Sequence, residues 1–167
     1  MTSAPKSVEI TPTSAEDLDT ATLLSLAGGL ADRDVLQAMR ARGYSVTRAH
    51  GFIFQRLLTG EQTITALAAD LRITQQGASK HVQELERIGL VVRRADPRDK
   101  RARIVELTEE GRVAIGLARE ARAAFETRLR SLIGERDLAI TRRAIGRMLD
   151  DAGVTQHIAD RSIPWQE

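Results

Sequence analysis

Five polar residues within one short stretch, Gln75, Gln76, Ser79, Lys80 and His81, have the types and spacing needed to read a nucleic-acid surface. A carboxamide offers a donor and an acceptor side by side, so Gln75 and Gln76 suit an adenine edge or a phosphate. One turn further along the same face, Ser79 suits a phosphate or base edge and Lys80 a phosphate or guanine, with His81 at the flank. About fifteen residues on, the run Asp96-Pro97-Arg98-Asp99-Lys100-Arg101 places three cations close together. Arg98 suits the negative potential of a narrow minor groove, with Lys100 and Arg101 beside it. Asp99 is read as paired with Arg101, a contact worth only ~0–1 kcal/mol when exposed, whose value is to hold the run in shape.

These residues need rigid supports, and the apolar pattern supplies them. Ala78, Val82, Leu85 and Ile88 recur at helical spacing, which predicts a helix over Gln75–Ile88, capped by Thr74 and ended by Gly89, with the polar set on its other face. Before it, Ile64–Leu71 reads as a short helix with Leu67, Ala68 and Leu71 on one side. Only Arg72-Ile73 separates the two, so the helices must cross steeply. After it, Leu90–Arg94 and Arg103–Leu107 are rich in valine and isoleucine and flank the basic run, as in a two-stranded hairpin with a long tip. A helix sized for the major groove beside a basic hairpin that reaches the adjacent minor groove is a winged helix-turn-helix, whose partner is double-stranded DNA.

The flanks read as helices. Ser14-Ala15-Glu16-Asp17 has the form of a capping box and starts a helix over Leu18–Arg42, apolar at Leu23, Leu26, Leu30, Leu36 and Met39 and stopped by Gly43. Gly28-Gly29 predicts a kink in it, since each glycine costs up to ~1 kcal/mol in a helix interior. Thr47 caps a helix through Leu58, with Phe52, Ile53, Leu57 and Leu58 as core; Thr63 opens the next. Thr108-Glu109-Glu110 caps a long helix with a stripe of Val113, Leu117, Ala121, Phe125, Leu129 and Leu132, broken at Gly134; Asp137–Leu149 is a final helix. That apolar surface exceeds what a small winged domain can cover, which points to a homodimer. The organisation expected is a disordered start (1–13), an N-terminal dimerisation helix (14–43), the winged domain (44–107), C-terminal dimerisation helices (108–150) and a tail (151–167). The fold class is mainly α with a small β-hairpin wing.

Net charge is close to balanced, 25 Lys and Arg against 23 Asp and Glu. Its distribution is not: Arg72 to Arg103 holds nine basic and four acidic residues, a local +5, which leaves −3 for the rest. The chain has no cysteine, which excludes disulfides and thiolate metal sites. No apolar run follows a basic start and nowhere do ~18 apolar residues follow one another, so a soluble, cytoplasmic protein without membrane contact is expected. No Ser-His-acid arrangement or glycine-rich phosphate loop is present, so the protein is read as not an enzyme and as needing no cofactor. His50, His81 and His157 are far apart in sequence without metal-ligand spacing, and no metal site is read from them. The competing reading is a winged helix used for protein contact, which predicts weak DNA binding with little salt dependence.

On Ile64-Thr65-Ala66-Leu67-Ala68, Gln75-Gln76-Gly77-Ala78-Ser79-Lys80-His81-Val82, Leu85-Glu86-Arg87-Ile88-Gly89-Leu90-Val91, the Asp96 to Arg101 run and Leu107-Thr108-Glu109-Glu110-Gly111, the chain resembles the multiple antibiotic resistance regulator (MarR) family from about Gly43 to Ala114. The resemblance implies interlocked terminal helices in a dimer, one half of a pseudo-palindromic operator for each subunit, and anionic phenolic or lipophilic ligands bound between the dimer and DNA-reading parts. Tyr44, Arg48, His50 and Phe54 lie at that junction and are the candidates for contact with such an effector. The glycines at 28, 29, 51 and 77 depart from good helix formers.

Overall fold

The computed structural model describes residues 14–97 and 102–154. Short polar side chains set the helix starts. Asp19 Oδ1 accepts from the Thr22 amide (3.0 Å) and opens α1, Thr20–Ala41. Thr63 and Thr74 accept from Ala66 and Gly77, both at 3.0 Å, and open α3, Ile64–Asp70, and α4, Gln75–Arg87. Thr108 accepts from Gly111 (2.9 Å) at the start of α5, Glu109–Asp151. Each bond satisfies an amide that the first helical turn leaves without a partner. Thr47 precedes α2, Arg48–Leu57, where its amide donates to His50 Nδ1 (3.2 Å). Gly43 and Gly89, at φ 83° and 77°, turn the chain out of α1 and α4 through left-handed backbone.

Two expectations about α1 are corrected. The capping box exists, with Ser14 Oγ accepting from Glu16 and Asp17 Oδ2 accepting from Ser14, but it closes a single 3-10 turn, Ala15–Asp17. Leu18 is extended (ψ 148°), so the long helix restarts under Asp19. The kink at Gly28-Gly29 is absent: α1 runs unbroken, because glycine lowers helix propensity without removing a hydrogen-bond donor as proline would.

Strands β2, Val91–Ala95, and β3, Arg103–Leu107, form the expected antiparallel hairpin, in register from Val91 opposite Leu107 to Ala95 opposite Arg103. A third strand, β1, Gln62–Thr63, pairs with the other edge of β3, giving the order β1-β3-β2. One core lies beneath. Leu67, Ala78, Val82, Leu85, Leu90 and Val105 are fully buried, joined by Ile53 and Leu57 of α2, Met39 of α1 and Ile115 of α5.

Helix α5 is interrupted where expected, at Gly134, with φ 78° and ψ 162°. Beyond it the chain folds back: Arg142 Nη1 lies 2.7 Å from Glu126 Oε1, although sixteen residues of straight helix would separate them by ~24 Å. Arg128 reaches Asp34 (2.8 Å) and ties α5 to α1. The predicted stripe is not the buried face of α5. Ala114, Ile115 and Leu138 are buried, whereas the stripe is half-buried from Leu117 to Leu129 and open at its ends, with Val113 and Leu132 51% and 76% exposed; Leu26 and Leu30 of α1 are also open, at 56% and 44%. No helix among the described residues is long and apolar enough to cross a membrane.

The start of α5 is held against the end of α4. The Thr108 amide donates to Leu90 O (3.2 Å) and its hydroxyl to Gly89 O (2.7 Å). A Cβ on Gly111 would lie 2.1 Å from Leu90 O, so this glycine is demanded by close approach. Tyr44, just after α1, donates its hydroxyl to Glu110 in the first turn of α5, which holds the phenol above its ordinary pKa.

Two outcomes are expected. Gly111→Ala should lose about 1–3 kcal/mol in chemical denaturation, from overpacking, while Gly51→Ala in α2, where nothing lies within 4 Å of a new Cβ, should gain up to ~1 kcal/mol. Tyr44 is the sole tyrosine, so ultraviolet titration reads it alone. Its pKa should exceed that of the unfolded chain and fall in Glu110→Ala; the stabilisation it carries is complete below the unfolded pKa and lost as pH rises through the folded one.

Candidate nucleic-acid interface

Helices α3 and α4 are joined by a tight connection in which Arg72 takes left-handed backbone, φ 51°. The burial of Ala78, Val82 and Leu85 at 0% exposure fixes the rotation of α4 and therefore which residues it presents. Gln75, Gln76 and Lys80 are exposed on its outer face, as expected, and Ser79 is half-buried beside them. His81 differs. It turns towards the protein, its ring edge-on to that of His50 with centroids 5.3 Å apart.

The carboxylates of α4 are drawn away from that outer face. Glu84 Oε2 lies 2.9 Å from His50 Nε2 and 3.5 Å from His81 Nδ1. Because His50 Nδ1 accepts the Thr47 amide, its proton sits on Nε2 and is donated to Glu84. Burial lowers the pKa of His50 and keeps the ring neutral; the hydrogen bond from His50 in turn holds Glu84 below the usual carboxylate range. Glu86 is gripped by Arg93, with Nη2 at 2.5 Å, Nε at 2.8 Å and the backbone amide at 3.3 Å, and its pKa is lowered chiefly by that side-chain hydrogen bond.

Towards the tip end of the hairpin Arg94 bridges Glu106 (3.0 Å) and Glu61 (2.5 Å), and Glu106 raises its pKa further. Arg93 and Arg94 are therefore offset by the carboxylates of Glu86, Glu106 and Glu61. The Asp96 amide donates to Ala102 O (3.2 Å), the last rung before the tip. Arg98, Asp99, Lys100 and Arg101 lie outside the described residues, as do residues 1–13 and His157.

The four effector candidates separate. A cleft of about 70 Å³ opens between α1, α2 and α5, and both Arg48 and Phe54 line it. Arg48 also approaches Asp32 (3.4 Å), another lining residue. Tyr44, bonded to Glu110, and His50, bonded to Glu84, are not part of its wall. Arg119 and Arg122 of α5 are, and sequence spacing alone did not point to them, because only the fold brings α5 against α2.

Residues 44–102 match the model of the MarR family. No curated protein matches the sequence. Among solved structures, the YusO protein of Bacillus subtilis aligns over 83% of this chain and 99% of its own at 22% identity, TM-score 0.66. A mutant MepR from S. aureus bound to an oligodeoxyribonucleotide aligns over 80% and 98% at 20% identity, TM-score 0.60. A MarR-family transcriptional regulator from Rhodococcus sp. RHA1 aligns over 82% and 96% at 24% identity, TM-score 0.58. These likenesses establish a shared fold that takes in the flanking helices as well as the winged core. Family match and fold coincide on the same crossed helices and hairpin: residues 44–102 are similar to the MarR family, and the chain has a winged helix-turn-helix fold shared with these solved structures.

Proposed function

We propose that the protein is a sequence-specific DNA-binding transcription regulator, a repressor that acts as a homodimer and releases its operator when a small anionic aromatic or lipophilic ligand binds. The observation that carries the DNA reading is the sidedness of α4. Its apolar face is fully buried, its carboxylates are drawn inward or tied to Arg93, and Gln75, Gln76 and Lys80 remain on the outside. A helix so arranged offers amide and ammonium donors to base edges and phosphates, while Arg98, Lys100 and Arg101 at the wing tip are assigned to the adjacent minor groove. Support comes also from MepR, whose solved complex contains an oligodeoxyribonucleotide.

Dimerisation is supported by the large side chains left uncovered on α1 and the far part of α5: Leu26, Leu30, Leu132, Ile140 and Met148. Pairing through them gives two recognition helices, which must sit about one DNA turn, ~34 Å, apart to meet a pseudo-palindromic site. The cleft supports the effector. It lies between dimer helices and winged core, and its three guanidinium groups, Arg48, Arg119 and Arg122, favour an anionic ring seated on Phe54. A ligand that binds best when the two recognition helices are wrongly spaced lowers DNA affinity by mass action.

The test is binding of the purified protein to its own upstream intergenic DNA across a salt series, with random DNA as competitor. Tight, specific binding with a steep salt slope is expected; binding no better than to random DNA would favour a protein-contact role. Gln76→Ala should erode discrimination between sequences, whereas Arg98→Ala should weaken binding to all of them and reduce the salt slope by about 1. Equal, sequence-blind losses from both would overturn the division of roles. Sedimentation should give the mass of two chains, and Leu132→Asp should shift it towards one.

A further inference from the structure

We propose that His50, Glu84 and His81 form a binding site for one divalent transition-metal ion, zinc above all, between α2 and the inner face of α4. One donor atom from each of the three lies within 4.8 Å of the other two. Glu84 Oε2 is central, 2.9 Å from His50 Nε2 and 3.5 Å from His81 Nδ1. In a tetrahedral site with bonds of about 2.0–2.2 Å, ligand atoms stand roughly 3.3–3.5 Å apart. One pair is already at that spacing, the other must open by about half an ångström, and the two imidazoles must draw together. His81 and Glu84, three residues apart on α4, share a helix face, and His50 is carried to them across thirty-one residues of sequence.

A second observation points the same way. His81 Nδ1 is buried and makes no well-formed hydrogen bond among the described residues, its approach to Glu84 at 3.5 Å being long. A ring nitrogen withdrawn from water without a partner is an unmet cost, and a coordinate bond along its lone pair removes it. The donor set defines the ion. Two imidazoles and one carboxylate suit zinc and its first-row neighbours; calcium and magnesium take oxygen donors, and soft copper(I) wants the thiolates this chain lacks. His50 is 2% exposed and forms the floor, while the side chains of His81 and Glu84 are 29% and 37% exposed, which leaves an open side for water as fourth ligand.

Loading has a local signature. In this structure His50 Nδ1 accepts the Thr47 amide and Nε2 carries the proton. An ion on Nε2 moves that proton to Nδ1, so the Thr47 amide loses its acceptor and the first turn of α2 exchanges a capping bond for coordination. Glu84 gives up the His50 proton and accepts the ion on the same oxygen. Nothing in this step depends on DNA.

The experiment uses the full chain without an affinity tag. Cobalt(II) titration should produce the visible absorption of a four-coordinate nitrogen–oxygen site, saturating at one ion per chain and displaced by zinc, with the Thr47 amide resonance shifting in step. His81→Ala and Glu84→Gln, each retaining the wild-type far-ultraviolet spectrum, should weaken zinc binding at least about tenfold in chelator competition. Both substitutions fall at partly exposed positions, which avoids emptying the buried His50 site. Absence of the cobalt band, or zinc affinity unchanged in both variants, overturns the proposal. Either result can be obtained whether or not the protein binds an operator.

Discussion

Leu90 is the joint on which the rest of the molecule depends. Its side chain is fully buried, its amide donates to Leu85 O at the end of α4, and its carbonyl accepts the Thr108 amide and presses on Gly111. A single residue thus fixes where α4 stops, where the hairpin begins and how closely α5 approaches. Because α5 also holds Asp34 of α1 through Arg128, the register of the flanking helices against α4 is set through one carbonyl and one missing Cβ.

Charge in this protein is a matter of pairing more than of number. The segment from Arg72 to Arg103 is basic by count, yet Arg93 and Arg94 are occupied by Glu86, Glu61 and Glu106. These pairs are partly exposed and contribute little stability individually. Their consequence is positional: the carboxylates of α4 and of the hairpin are neutralised where they stand, and Lys80 on the outer face of α4 is left without a competing anion from Glu84 or Glu86.

Much of this was legible in the sequence because it rests on local chemistry. Thr63, Thr74 and Thr108 cap the helices that follow them, Gly43, Gly89 and Gly134 end or break helices through positive φ, and Ala78, Val82 and Leu85 give the inner face of α4. What escaped is what the chain alone does not encode at short range. A two-residue strand such as β1 has no period to detect. Ser14 makes a genuine cap, but one extended residue, Leu18, separates it from the long helix. The pairing of His50 with His81, and the arrival of Arg119 and Arg122 beside Arg48, are products of packing between distant elements.

The cleft between α1, α2 and α5 shares its wall with the interior. Met39, Phe54 and Ile115 line it and also belong to the main hydrophobic core. Such a space is less a vestibule than a notch in the packing, and whatever fills it becomes part of the interior. An occupant would stiffen the contact between the flanking helices and the winged core, so that chemistry arriving from solution is felt first as a change in how solid the protein is.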